Sequence, residues 1–200
     1  MKAAGPSIGT ASRDGHGTGS RNGVQTGAQV PISLSVNAEA RQIISRLGLK
    51  PLPREGGFFA PTWTSPRKGP GGRPIGSAIL FLVTVADFSA LHRLAADEIW
   101  HFLAGDPAEL VRLGPRAGTG RVLVLGSDVA AHQVPQAVVP AGEWQGARVR
   151  PRKGPGARGW ALFGCTLAPA WDEREFELGL REDLMAKYPR HGALVRRLTR

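Results

Sequence analysis

The stretch FSALHRLAADEIWHFLAGDP, residues 88–107, gathers two histidines, a carboxylate pair and a tryptophan between apolar runs. Imidazole and carboxylate groups support either metal ligation or proton transfer. Side chains in a strand alternate between faces. Phe88, Ala90, His92 and Leu94 therefore share one face, and Ser89, Leu91 and Arg93 the other. The first set is apolar apart from His92, so it is expected to turn inward. After the turn AAD, Glu98, Trp100 and Phe102 share a face, while Ile99, His101 and Leu103 share its opposite. Adjacent antiparallel strands set inward residues side by side. His92 and Glu98 thus form the candidate catalytic pair, with Trp100 beside them. His101 points away from Glu98, and His132, in the loop AAHQVPQ, reads as solvated. A buried carboxylate also needs a partner simply to exist in a core, so a structural pair is the competing reading.

The elements that would hold these residues are short. Asn37 can cap a helix with Glu39 in its first turn and Ile43, Ile44 and Leu47 on one face; Gly48 stops it. From about 56 to 167, eight apolar runs alternate with Gly, Pro and Asp punctuation: GSAILFLVT, FSALHRL, DEIWHFL, AELVRL, RVLVLG, QAVVP, EWQGARV and WALFGCTL. This spacing predicts an all-β antiparallel sandwich or barrel. Two short helical pieces follow, split by Pro189; Leu180 and Leu184, then Leu194, Val195 and Leu198, should pack on the sheet's exterior. The expected organisation is a tail over residues 1–36 and one domain over 37–200.

Among the first 29 residues, 13 are Gly, Ser or Thr, a composition that cannot offset chain entropy by burial and reads as disordered. The tail has arginine and little acid, as organellar transit segments do, but no apolar h-region of a secretory signal. The longest strongly apolar stretch, AILFLV, is too short for a bilayer, so no membrane partner is expected. A single cysteine, Cys165, rules out an internal disulfide and reads as a buried inert thiol. A chain without a disulfide framework is expected in the cytoplasm. Half of the 26 Lys and Arg residues lie in three clusters, two of which share the hexapeptide PRKGPG at 66–71 and 151–156. Basic patches can bind phosphates, yet Pro-Gly punctuation marks these as loops and no nucleic-acid motif accompanies them. Nucleic acid is therefore not the expected partner, and an acidic ligand such as a phosphorylated metabolite is at least as plausible for these loops.

The spacing His92, Leu94, Glu98, Gly105 resembles the first motif of the cupin superfamily, and Pro140, Gly142 and Gln145 in VVPAGEWQGAR resemble the second. The segments PLPREGGFF, SAILFLVT, GWALFGCTLAP, YPRH and RRLTR are similar to the branch called cupin-5, over about residues 47–200. The resemblance implies a double-stranded β-helix, a jelly-roll barrel with short flanking helices, in a homodimer. It also raises Glu55, before the glycines of PREGG, as a pocket or interface residue. Metal-binding cupins use three histidines and a glutamate. Here two of the histidine positions are Leu94 and Gln145, which leaves His92, Glu98 and a weak oxygen donor in Gln145. No cofactor is expected, and a divalent metal would have only His92, Glu98 and Gln145.

Small barrels hold single ligands in apolar cavities with a few polar groups. Trp100 and Trp144 could stack on a sugar ring or base, or fill the core. The resulting expectation is a small-molecule-binding cupin with isomerase or epimerase activity on a sugar-like or phosphorylated metabolite. His92 would be the base, Glu98 or Asp172 its orienter, and Arg93 or Arg148 the holder of a diphosphate. The superfamily's epimerases of nucleotide-linked keto-sugars also use a pocket tyrosine, whereas the sole tyrosine here, Tyr188, is C-terminal. The alternatives are a non-catalytic binding cupin and a metal-dependent oxygenase or isomerase with a reduced ligand set.

Overall fold

A computed structural model describes residues 36–150, 152 and 154–200; the expected tail over 1–36 falls almost wholly outside them. The eight apolar runs all form strands: β3 (Ser77–Thr84), β4 (Ser89–Arg93), β5 (Asp97–Gly105), β6 (Ala108–Leu113), β7 (Gly120–Leu125), β8 (Gln136–Val139), β9 (Trp144–Val149) and β10 (Trp160–Ala168). Three strands were not expected: β1 (Lys50–Pro51), β2 (Phe58–Thr64) and β11 (Glu177–Leu178). The run of β2 contains Pro61, which argues against a strand, but the pairing with β3 slips between Pro61 and Trp63, and the irregularity absorbs the missing N–H.

The strands form two antiparallel sheets, ordered β1-β2-β3-β10-β5-β8 and β11-β4-β9-β6-β7. Their inner faces meet in one core, where Phe81, Trp100, Phe163 and Val139 of the first sheet pack with Leu110, Leu125, Ala147 and Val149 of the second. This is the jelly-roll barrel expected. Trp100 meets Phe81 and Phe163 edge-on at centroid distances of 5.7 and 5.2 Å, the geometry aromatic quadrupoles prefer.

Helices cover the outer faces. In α1 (Ala38–Arg46) the Asn37 side chain caps the N–H of Ala40 at 2.8 Å. Ala40 and Ile44 bury against Phe58, Leu82 and Trp160 of the first sheet. Against the second sheet, α2 (Arg181–Lys187) and α3 (Gly192–Arg197) seal Leu91, Val111, Leu113 and Trp144 with Leu184, Tyr188, Val195 and Leu198. Leu180, expected on that packed face, is instead 66% exposed, because it is the N-cap residue of α2 and precedes the helix. No helix among the described residues is long and apolar enough to cross a membrane.

Candidate functional site

Strand alternation holds along the first part of β5: Glu98 and Trp100 point into the barrel, and His101 lies on the outer side with Thr166 and Gln136. In β4 the alternation breaks. Ser89 pairs with Ala147 and His92 with Gln145, so three steps along β4 oppose two along β9. This bulge turns both Ser89 and His92 inward and sends Phe88 to the outer cluster with Leu91. The expected grouping of Phe88 with His92 is therefore corrected. A bulge frees backbone groups that must be paired elsewhere. Ala90 N–H donates to the Glu55 carbonyl at 2.9 Å, and Leu91 N–H to the Leu198 carbonyl at 2.7 Å. The bulge thus ties the PREGG turn and the C-terminal RRLTR to the strand that carries His92.

Glu55 arrives beside the histidine by this route. Its Oε1 accepts the Ser89 hydroxyl at 2.7 Å and lies 3.8 Å from His92 Nδ1. Nδ1 itself sits 2.8 Å from the Ala90 carbonyl. A carbonyl can only accept, so Nδ1 carries a proton, and in the neutral ring the free lone pair belongs to Nε2. Phe176 stacks on the imidazole, centroids 5.4 Å apart with planes at 21°.

Gln145 joins the other two inward groups. The Trp100 indole N–H, which can only donate, reaches Gln145 Oε1 at 2.8 Å; this orients the amide, whose nitrogen donates to Glu98 Oε2 at 2.5 Å. Burial pushes the Glu98 carboxyl up to about 7, and the Glu55 charge adds to the rise; His92 and the bonds from Gln145 and Trp100 act against it. Among the described residues, the only sealed side-chain polar atom without a partner is Asp106 Oδ1. His92 Nε2 and Glu98 Oε1 also lack hydrogen-bond partners there, and both residues line a cavity of about 480 Å³. Together with Glu55 Oε2, which also has no hydrogen-bond partner among the described residues, they are polar atoms that the barrel leaves open to a ligand. Phe59, Ile79, Phe81, Leu94, Cys165 and Leu167 supply apolar wall. Burial and the nearby carboxylates raise the Cys165 thiol well above its ordinary range, so it stays neutral.

The structure therefore brings together Glu55, His92, Glu98, Trp100 and Gln145. It separates the other expected residues from them. Trp144 packs against the C-terminal helices, and Arg93 lies over its ring at 4.9 Å while pairing with Glu177 at 2.6 Å. Arg148 pairs with Glu109 at 2.6 Å. Asp172 is held by Arg174, which keeps its carboxyl far below the usual range. The Tyr188 hydroxyl donates to the Gly114 carbonyl at 2.7 Å, outside the cavity. His132 is exposed at the end of a 3₁₀ turn. Sequence reading missed Ser89, Phe176 and Arg54, which also line or support the site. The β4 bulge, the PREGG turn and the fold-back of residues 170–178 bring them in.

Residues 41–179 match the family model Cupin_5, described as Cupin superfamily (DUF985). The chain belongs to this cupin family. A structure of a protein from Shewanella oneidensis is similar at 35% identity and a TM-score of 0.73, covering 80% of this chain and 97% of that one. A hypothetical protein from Leishmania major is similar at 31% identity and a TM-score of 0.72, covering 80% and 98% respectively. No curated protein matches the chain.

The residues of this cupin do not fit the metal centre that the superfamily resemblance implies. Gln145 turns its oxygen to the Trp100 N–H and presents its amide N–H₂, which can only donate, to Glu98, so its oxygen is directed away from that carboxylate. Leu94 has no lone pair to offer. Of the expected ligand set, His92 Nε2 and Glu98 Oε1 remain, and two ligands hold a divalent ion poorly against water and buffer. Among the described residues, no three His, Cys, Asp or Glu side chains gather as a metal set.

Proposed function

We propose that this cupin binds a small molecule between its sheets and moves a proton on it, as a metal-independent isomerase or epimerase of a sugar-like or phosphorylated carbonyl compound. One observation carries the reading. The polar atoms left open to the cavity include an imidazole nitrogen and, beside it, a carboxyl oxygen that titrates near neutrality. His92 Nε2 takes a proton from carbon next to the carbonyl. Protonated Glu98 gives its proton to the carbonyl oxygen, which yields an enol; reversal on the other face or carbon completes the exchange. Glu55 is a positioning residue whose charge favours the imidazolium that forms.

The test is deuterium incorporation from D₂O into a panel of keto-sugars, their phosphates and 2-keto acids, followed by NMR. Exchange by the wild type that falls ~10²-fold or more in His92→Gln and in Glu98→Gln supports the reading. No exchange in any panel member overturns it. A second reading, a non-catalytic binding cupin, is favoured by Tyr188, whose hydroxyl is committed to Gly114 and cannot serve as a cavity acid. That reading predicts binding without exchange. The homodimer and the cytoplasmic location belong to the same proposal and rest on the family resemblance and the single cysteine; molar mass in solution tests the first.

A further inference from the structure

Cations around the barrel mouth are mostly neutralised. Arg73 pairs with Glu175 at 2.7 Å, Arg93 with Glu177 at 2.6 Å and Arg174 with Asp172 at 2.5 Å. Arg54 differs. It lines the mouth of the cavity, is exposed, and has no carboxylate in ion-pair range among the described residues. Its backbone is left-handed at φ 68°, a conformation unfavourable for a side chain of its size. The turn holds it there, with Glu55 N–H on the Pro53 carbonyl at 2.8 Å and Gly56 N–H on the Leu52 carbonyl at 3.0 Å. The guanidinium lies over the Phe176 ring at 5.2 Å, and the same ring stacks on His92. A free cation, an aromatic plate and the open imidazole thus follow one another from rim to interior. Below them the wall is apolar, with Phe59, Phe81, Leu94 and Trp100, and it offers few partners to the hydroxyls of a bare sugar.

We propose that Arg54 seats the anionic group of the ligand, and that the ligand is a small carboxylate or phosphate ester carrying an apolar ring. This rests on the proton-transfer reading only for the orientation of the ligand, anion at the rim and reacting carbon at His92. Glu173 lines the same rim and opposes the anion, so Arg54 sets selectivity against a neighbouring negative charge.

The test is calorimetric titration of the full chain with phenyl phosphate, phenylpyruvate, uncharged phenylacetone and inorganic phosphate. The wild type should bind both ring anions at millimolar concentration or below, with phenylacetone and inorganic phosphate weaker. Arg54→Asn, which tolerates the left-handed backbone, should weaken both ring anions roughly five- to tenfold and leave phenylacetone unchanged. Arg54→Lys should keep most of the affinity, and Glu173→Gln should strengthen it. The proposal is overturned by no binding of phenyl phosphate, by unchanged binding in Arg54→Asn, by equal loss of charged and uncharged rings, or by inorganic phosphate matching phenyl phosphate. Phenyl phosphate has no enolisable hydrogen, so its binding reads the anion seat alone. Its binding with no deuterium exchange into phenylpyruvate would keep the Arg54 seat and remove the proton-transfer reading.

Discussion

Gln145 donates to Glu98 at 2.5 Å through the one nitrogen its amide can turn that way, because its oxygen is taken by Trp100 at 2.8 Å. The bond lowers the Glu98 carboxyl, but desolvation wins and the group titrates near 7. A buried carboxyl in this state is a proton donor and acceptor at once, which a fully paired carboxylate is not.

The pH dependence follows with a definite sign. Glu98 is raised from 4.5 to about 7 on folding, so the folded chain prefers the protonated form. Its contribution is fully present below about pH 4.5 and is lost progressively as pH rises to about 7, on the order of 3 kcal/mol in all. Glu98→Gln cannot ionise. Its melting temperature relative to wild type should climb between pH 4.5 and 7 and level off above; a constant difference would remove Glu98 as the titrating group.

Gln145→Leu strands the Trp100 N–H and removes a donor from Glu98. Each loss leaves a buried polar group unpaired, so stability should drop by ~1–3 kcal/mol at neutral pH. The Glu98 titration, followed by carboxyl NMR, should move further up. A downward move would contradict the assigned amide orientation.

Metal should not change this protein. Elemental analysis before and after chelation is expected to find well under one divalent ion per chain, and added zinc or nickel should not raise the melting temperature. Stoichiometric metal whose removal lowers the melting temperature would make His92 and Glu98 ligands and displace the proton-transfer reading.

Tyr188→Phe separates the site from the epimerase pattern. Its hydroxyl bond to Gly114 is worth about 1 kcal/mol, so melting should fall slightly while ligand binding and exchange persist. Loss of exchange in a stably folded Tyr188→Phe would place the tyrosine in the chemistry.

Gly105→Ala tests the motif glycine. Its φ is 105°, and a Cβ there would stand 2.3 Å from the Trp160 carbonyl oxygen. Strain and clash together should cost more than about 2 kcal/mol, read by chemical denaturation.

Much of the barrel was written in the order of residues. Eight apolar runs with turn punctuation became eight strands, because hydrophobic period and Gly-Pro breaks act locally. Parity alone was enough for Glu98, Trp100 and His101, since the start of β5 is regular. Parity failed in β4, where an extra residue between Ser89 and His92 shifts the faces; nothing local in SALH marks that insertion, and its freed N–H groups are paired by Glu55 and Leu198 from distant segments. The amide of Gln145, the proton on His92 Nδ1 and the free cation of Arg54 are likewise decided by neighbours far away in the chain. The sequence by itself determined the barrel and which polar residues it would have to bury. Only the tertiary structure decided which of their atoms are spent on one another and which are left for a ligand, because hydrogen-bond satisfaction is a property of the packed network.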